Sequence, residues 1–192
     1  GYAGFDFPQR FVMSVLYNLP FGKGQPLANG TAILDKFIGG WQLSTITTIQ
    51  SGTAINPESW DSAGMGAGFP HSNRLNCVAG VSPVASDPTP DRYFVREAFT
   101  NVVANQFGNC ARNSLRAPST WNVDFSTMKD FRLHERHTLQ FRMEMFNTPN
   151  HPAWGRPSGA WGSQGANPTA AFGRIRSTSQ LRQIQFALKY SF

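Results

Sequence analysis

The chain has 192 residues, enough for one domain with a real core. Its 18 glycines, 13 prolines and 16 phenylalanines, set against 15% charged residues, argue for an all-β protein and against disorder. The net charge of +6 is spread along the sequence with no basic stripe, which argues against a nucleic-acid partner. No apolar run reaches the length of a transmembrane helix, a test that alternating barrel strands do not have to pass. Gly1 to Asp6 has neither the basic start nor the apolar centre of a signal peptide, so an exported protein would need more chain before it.

The first predicted strand covers residues 10–19. Phe11, Met13, Val15, Tyr17 and Leu19 make one apolar face, and Ser14 and Asn18 interrupt the other. Pro20-Phe21-Gly22-Lys23-Gly24 stops it, because proline cannot donate to a ladder and glycine favours a turn. Residues 25–38 read as a connection, with one short helical turn over Ala32 to Phe37. The second strand covers 40–51, with Trp41, Leu43, Thr45, Thr47 and Ile49 opposing Gln42, Ser44, Thr48 and Gln50.

Residues 52–119 have no regular period, and only Tyr93 to Phe99 hints at a local element. A loop of that length counts against a compact soluble domain, whereas an outer-membrane barrel with long extracellular loops expects one. Cys77 and Cys110 lie within it. They read either as two unrelated thiols or, in an exported loop, as a disulfide contributing roughly 3–4 kcal/mol by chain entropy.

The third strand, 121–132, sets Trp121, Val123, Phe125 and Thr127 against Asn122, Asp124 and Ser126. Leu133 to His137 is a tight connection to the fourth, 138–146, where Leu139, Phe141, Met143 and Met145 oppose Gln140, Arg142 and Glu144. A face bearing Asp124, Arg142 and Glu144 suits a polar lumen with cross-strand ion pairs. After a long loop over 147–178 comes the closing strand, 181–192. Ile184, Phe186, Leu188, Tyr190 and Phe192 fall on one of its faces, and Gln183, Gln185, Ala187, Lys189 and Ser191 on the other.

The fold class expected is therefore all-β: an antiparallel meander of about five long strands, the carboxyl-terminal part of an outer-membrane β-barrel. Its connections alternate between short and long, which places Leu19–Gly40 and Leu133–His137 in the periplasm and the two long loops outside. Five strands then put Gly1 on the outer side, so residue 1 is expected to continue from a longer chain.

Several stretches resemble the carboxyl-terminal part of TonB-dependent outer-membrane receptors of the Oar-like type, which carry a carboxypeptidase-regulatory-like domain and abound in Acidobacteria. They are Arg10-Phe11-Val12 through Gly24, Gly39-Gly40-Trp41-Gln42-Leu43, Gln50-Ser51-Gly52-Thr53, and Gly108-Asn109-Cys110-Ala111-Arg112-Asn113 to Pro118. Asn122-Val123-Asp124-Phe125-Ser126, Glu135 through Asn147, Asn150-His151-Pro152 and the terminal strand complete the set. The resemblance implies the last strands of a barrel of about 22. It also implies that Tyr190 and the terminal Phe192 signal to the barrel-assembly machinery. Its partners would be outer-membrane lipid and, through plug and TonB-box regions that these residues do not include, the TonB energising complex. Neither a cofactor nor catalysis is implied.

His134, Glu135 and His137 sit in a turn between strands, so a solvated turn fits them better than a metal site. Asp61, Asp87 and Asp91 are too dispersed for a calcium loop. Ser163 in Trp161-Gly162-Ser163-Gln164-Gly165 departs from a nucleophile elbow, which leaves a small hydrolase using Ser163, His134 or His151 as the third reading. Trp154, Arg156, Trp161, Phe172 and Arg174 form a candidate ligand rim in the outer loop, with loop-packing aromatics as the plainer alternative. The second reading of the whole is a β-rich piece that buries its open edges by self-association.

Overall fold

The computed structural model describes residues 1–22, 25–27, 36–59, 73–103, 106–162 and 168–192. It divides into two compact units: one of residues 11–49, 121–152 and 180–192, the other of residues 1–10, 50–120 and 153–179. The first unit is a sheet. Its strands are β1 (Arg10–Asn18), β2 (Trp41–Gln50), β3 (Thr120–His134), β4 (His137–Phe146) and β5 (Gln183–Ser191). They pair in sequence order, leaving β1 and β5 at the edges.

Register carries the alternation across the sheet. Between β3 and β4, Phe125 faces Met145, Thr127 faces Met143, Lys129 faces Phe141 and Phe131 faces Leu139. Between β4 and β5, Leu139 faces Tyr190, Phe141 faces Leu188, Met143 faces Phe186 and Met145 faces Ile184. A slip of one residue would turn every one of these side chains over, so matching periods on adjacent strands specify the pairing. Gln42 donates to Asn18 across β1 and β2 at 2.8 Å, placing the polar positions of those strands on one face as well.

The connections alternate as expected, since β3 and β4 are joined by a two-residue turn over 135–136. Of the expected helical turn, residues 36–38 are helical and residues 32–35 lie outside the described residues.

The two stretches read as loops without regular structure, 52–119 and 147–178, fold differently from that expectation. With the first ten residues, most of them form the second unit. It is stitched by two-stranded ladders, such as Ala54–Ile55 with Leu115–Arg116, Asn76–Cys77 with Phe99–Thr100, and Ala153–Trp154 with Thr178–Ser179. Ladders this short hold too few residues to show a period. Around them lies a continuous core of Ile55, Leu75, Phe94, Phe99, Leu115, Trp161 and Phe172. Phe172 is its hub, in edge contact with Phe99 at 5.3 Å and Trp161 at 4.9 Å between ring centroids. Tyr93 joins this core, and burial pushes its phenol above the ordinary value of 10.0, so the ring packs neutral.

Cys77 and Cys110 are bonded, with their Cα atoms 5.1 Å apart. The residues around them explain the Gly108-Asn109-Cys110 run. A Cβ on Gly108 would lie 1.9 Å from the Arg74 carbonyl oxygen, so only glycine lets the strands approach. Asn109 Oδ1 then accepts from the Cys77 amide at 2.6 Å, and the Cys110 amide donates to the Leu75 carbonyl at 3.0 Å. Gly52 does the same beside the Ala117 amide's bond to the Thr53 carbonyl, where a Cβ would meet the Ala117 carbonyl oxygen at 1.8 Å.

Candidate functional site

Among the described residues, much of the apolar face of the sheet is exposed, most of all along its edge strands. Phe186 and Leu188 are 68% and 69% exposed, and Phe11, Val15, Tyr17, Ile184 and Tyr190 are exposed too. An apolar expanse of this kind marks a surface made for another apolar phase or partner. Towards the β3–β4 turn the face becomes aromatic and polar at once. His137 stacks on Tyr190 with 5.8 Å between centroids, its Nδ1 shares a hydrogen bond with the Tyr190 hydroxyl, and Phe192 lies 5.9 Å from the Tyr190 ring.

The opposite face holds the charges. Arg142 pairs with Glu144 at 3.0 Å, Gln185 donates to Glu144, and Gln140 donates to Asp130 at 2.8 Å. Beside them Ser44, Asp124, Ser126, Arg142 and Glu144 line a cavity of about 180 Å³. Its rim is a knot that periodicity does not reveal. Asp124 Oδ1 accepts from Asn122 Nδ2 at 2.7 Å and from the Asn147 amide at 2.9 Å. Asn147, at φ 50°, brackets His151 through both its side-chain atoms and also donates to the Gln180 carbonyl. Asparagine tolerates that left-handed backbone and supplies donor and acceptor together. Asn122-Val123-Asp124 and Asn147 to His151, remote in sequence, therefore close one end of the sheet as a unit.

The candidate ligand rim does not survive as a rim. Trp161 and Phe172 are 5% and 2% exposed and belong to the core, where their rings pack edge to face. Trp154 is half-buried against the same core. Arg156 donates to the Ala54 carbonyl at 3.0 Å and so ties two segments of the unit together. Arg156 nevertheless stays exposed, and Arg174 is half-exposed, 3.9 Å from Asp91. Arg174 joins Arg92, Arg96, Asp91 and Glu97 around a cavity of about 220 Å³ floored by Phe94 and Phe172. Three guanidiniums in one mouth suit a carboxylate or phosphate group, and neither Arg92 nor Arg96 stood out in the sequence.

The remaining candidates separate. His134 and His137 face each other across the β3–β4 turn, with ring centroids 6.2 Å apart, while His151 follows the far end of β4. Ser163 and Asp61 lie outside the described residues. Among the described residues no group of three His, Cys, Asp or Glu side chains could hold a metal ion.

Residues 1–185 match the family model of the outer membrane beta barrel domain. The chain belongs to that family, and its place is the bacterial outer membrane. Comparison with curated proteins and with solved structures found no match.

Proposed function

We propose that these residues form wall strands and outer loops of a TonB-dependent receptor that binds a ligand at the cell surface and imports it, without catalysis. The apolar face meets lipid, the Asp124–Arg142–Glu144 face lines the lumen, and the disulfide-tied unit stands outside. The observation that carries this reading is the apolar face, much of it exposed, held in register over β3, β4 and β5 and backed by a charged reverse side. The arginine-lined mouth around Arg92, Arg96 and Arg174 supports a ligand with an anionic group.

The unpaired edges of β1 and β5 favour a second reading, self-association of the piece. One experiment separates the two. The full-length protein should fractionate with the outer membrane, need detergent, shift in apparent mass on boiling, and be retained on an immobilised carboxyl-terminal domain of TonB. A heat-modifiable protein that ignores TonB would remain an outer-membrane barrel but not a receptor of this type. Soluble, regular polymers would favour self-association.

A further inference from the structure

We propose that Lys129 is a headgroup site on the wall of the barrel, holding the phosphate of a phospholipid in the leaflet nearer the β3–β4 turn. This rests on the reading that the apolar face meets lipid. Lys129 lies on that face, opposite Phe141, and is only 4% exposed. Its ammonium sits 5.5 Å from the ring centroid of Trp41 and 5.0 Å from that of Phe131. Cation–π attraction holds it between the rings, yet among the described residues none of its three N–H groups has an acceptor.

A buried cation without a counter-charge is costly, and ionisable side chains at membrane depth are paired. Among the described residues of the sheet, no acidic side chain lies on this face. Asp124, Asp130 and Glu144 occupy alternate positions in the ladder and therefore point to the reverse side. On the lipid side the available anion is a phosphodiester.

Depth agrees with that partner. Lys129 lies five positions before His134 and nine after Thr120, nearer the short turn than the long loop. At about 3.3 Å per residue and a tilt near 40°, it stands about 12–13 Å above the turn. Trp41, the first residue of β2, marks the same level, and its indole N–H donates to the Phe37 carbonyl at 2.8 Å. Tryptophan anchored in this way belongs at a membrane–water interface. The four-carbon stem of lysine lets the ammonium swing from between the rings to a headgroup beside them.

Native mass spectrometry of the full-length protein in detergent tests the site, with added phosphatidylglycerol, diacylglycerol of the same chains, or lipopolysaccharide. Wild type should retain phosphatidylglycerol over diacylglycerol. Lys129→Gln and Lys129→Met should lower that retention about tenfold, while Lys129→Arg should keep it. Equal retention by Lys129→Gln and wild type, or retention of diacylglycerol as well as phosphatidylglycerol, would overturn the site. So would selective retention of lipopolysaccharide, which occupies the other leaflet. A protein that is not heat-modifiable would instead remove the lipid-facing reading itself.

Discussion

Phe172→Ala will loosen the disulfide-tied unit by about 3–5 kcal/mol, the cost of emptying an aromatic site in a packed core. Phe172 is 2% exposed and touches Phe94, Phe99 and Trp161, so no single neighbour can move in to fill the space. Its backbone also pairs with Ser158, which keeps the surrounding chain from collapsing inward. The measurement is limited proteolysis of the full-length protein in detergent. Cleavage within 73–103 and 168–179 should speed up on the order of a hundredfold or more, while the heat-dependent mass shift of the barrel stays unchanged. Loss of that mass shift as well would mean that the loop unit and the sheet unfold together.

Removing the disulfide with Cys77→Ala and Cys110→Ala should cost the same unit roughly 3–4 kcal/mol. The bond closes a loop of 33 residues between segments joined otherwise, among the described residues, by one backbone hydrogen bond, from the Cys110 amide to the Leu75 carbonyl, and by side-chain bonds of Asn73, Asn76 and Asn109. With so little backbone pairing to hold them, the ends gain considerable freedom when it is cut. Proteolysis with and without dithiothreitol checks this: reduced wild type should match the double alanine variant, and oxidised wild type should resist both. If reduction leaves the cleavage rate unchanged, the hydrogen bonds of Asn109 to Cys77 hold the loop without the covalent link.

The sheet was legible because its strands are long. Nine or more residues on β1, β2, β4 and β5 display a period of two several times over, and a one-residue error would expose the polar set to lipid. The loop unit was not legible for the opposite reason. Most of its strands are two or three residues long, the six of Val84–Thr89 excepted, and its core gathers single aromatics such as Phe94, Phe99, Trp161 and Phe172 from distant segments. No local pattern announces such residues. Sequence neighbours alone suggest a rim for Trp161 and Phe172, and nothing local marks Arg92 and Arg96, which border the cavity with Arg174.

Lys129 shows the same limit from the other side. Alternation places it on the apolar face, where a charge looks like a flaw in the pattern. Its meaning depends on Trp41, contributed by a strand nearly ninety positions earlier, and no spacing rule links the two. The knot of Asn122, Asp124, Asn147 and His151 is a third case. Each is an ordinary loop or strand residue until register brings Asp124 beside the Asn147 amide.

In the outer membrane, one side of this sheet meets hydrocarbon and the other meets water. Single cysteines placed in turn at positions 184 to 190 of the full-length protein, spin-labelled and reconstituted in bilayers, measure it residue by residue. Collisions with dissolved oxygen should peak at 184, 186, 188 and 190, and collisions with a water-soluble nickel complex at 185, 187 and 189. A profile with no two-residue period, or with the two probes exchanged, would contradict the account.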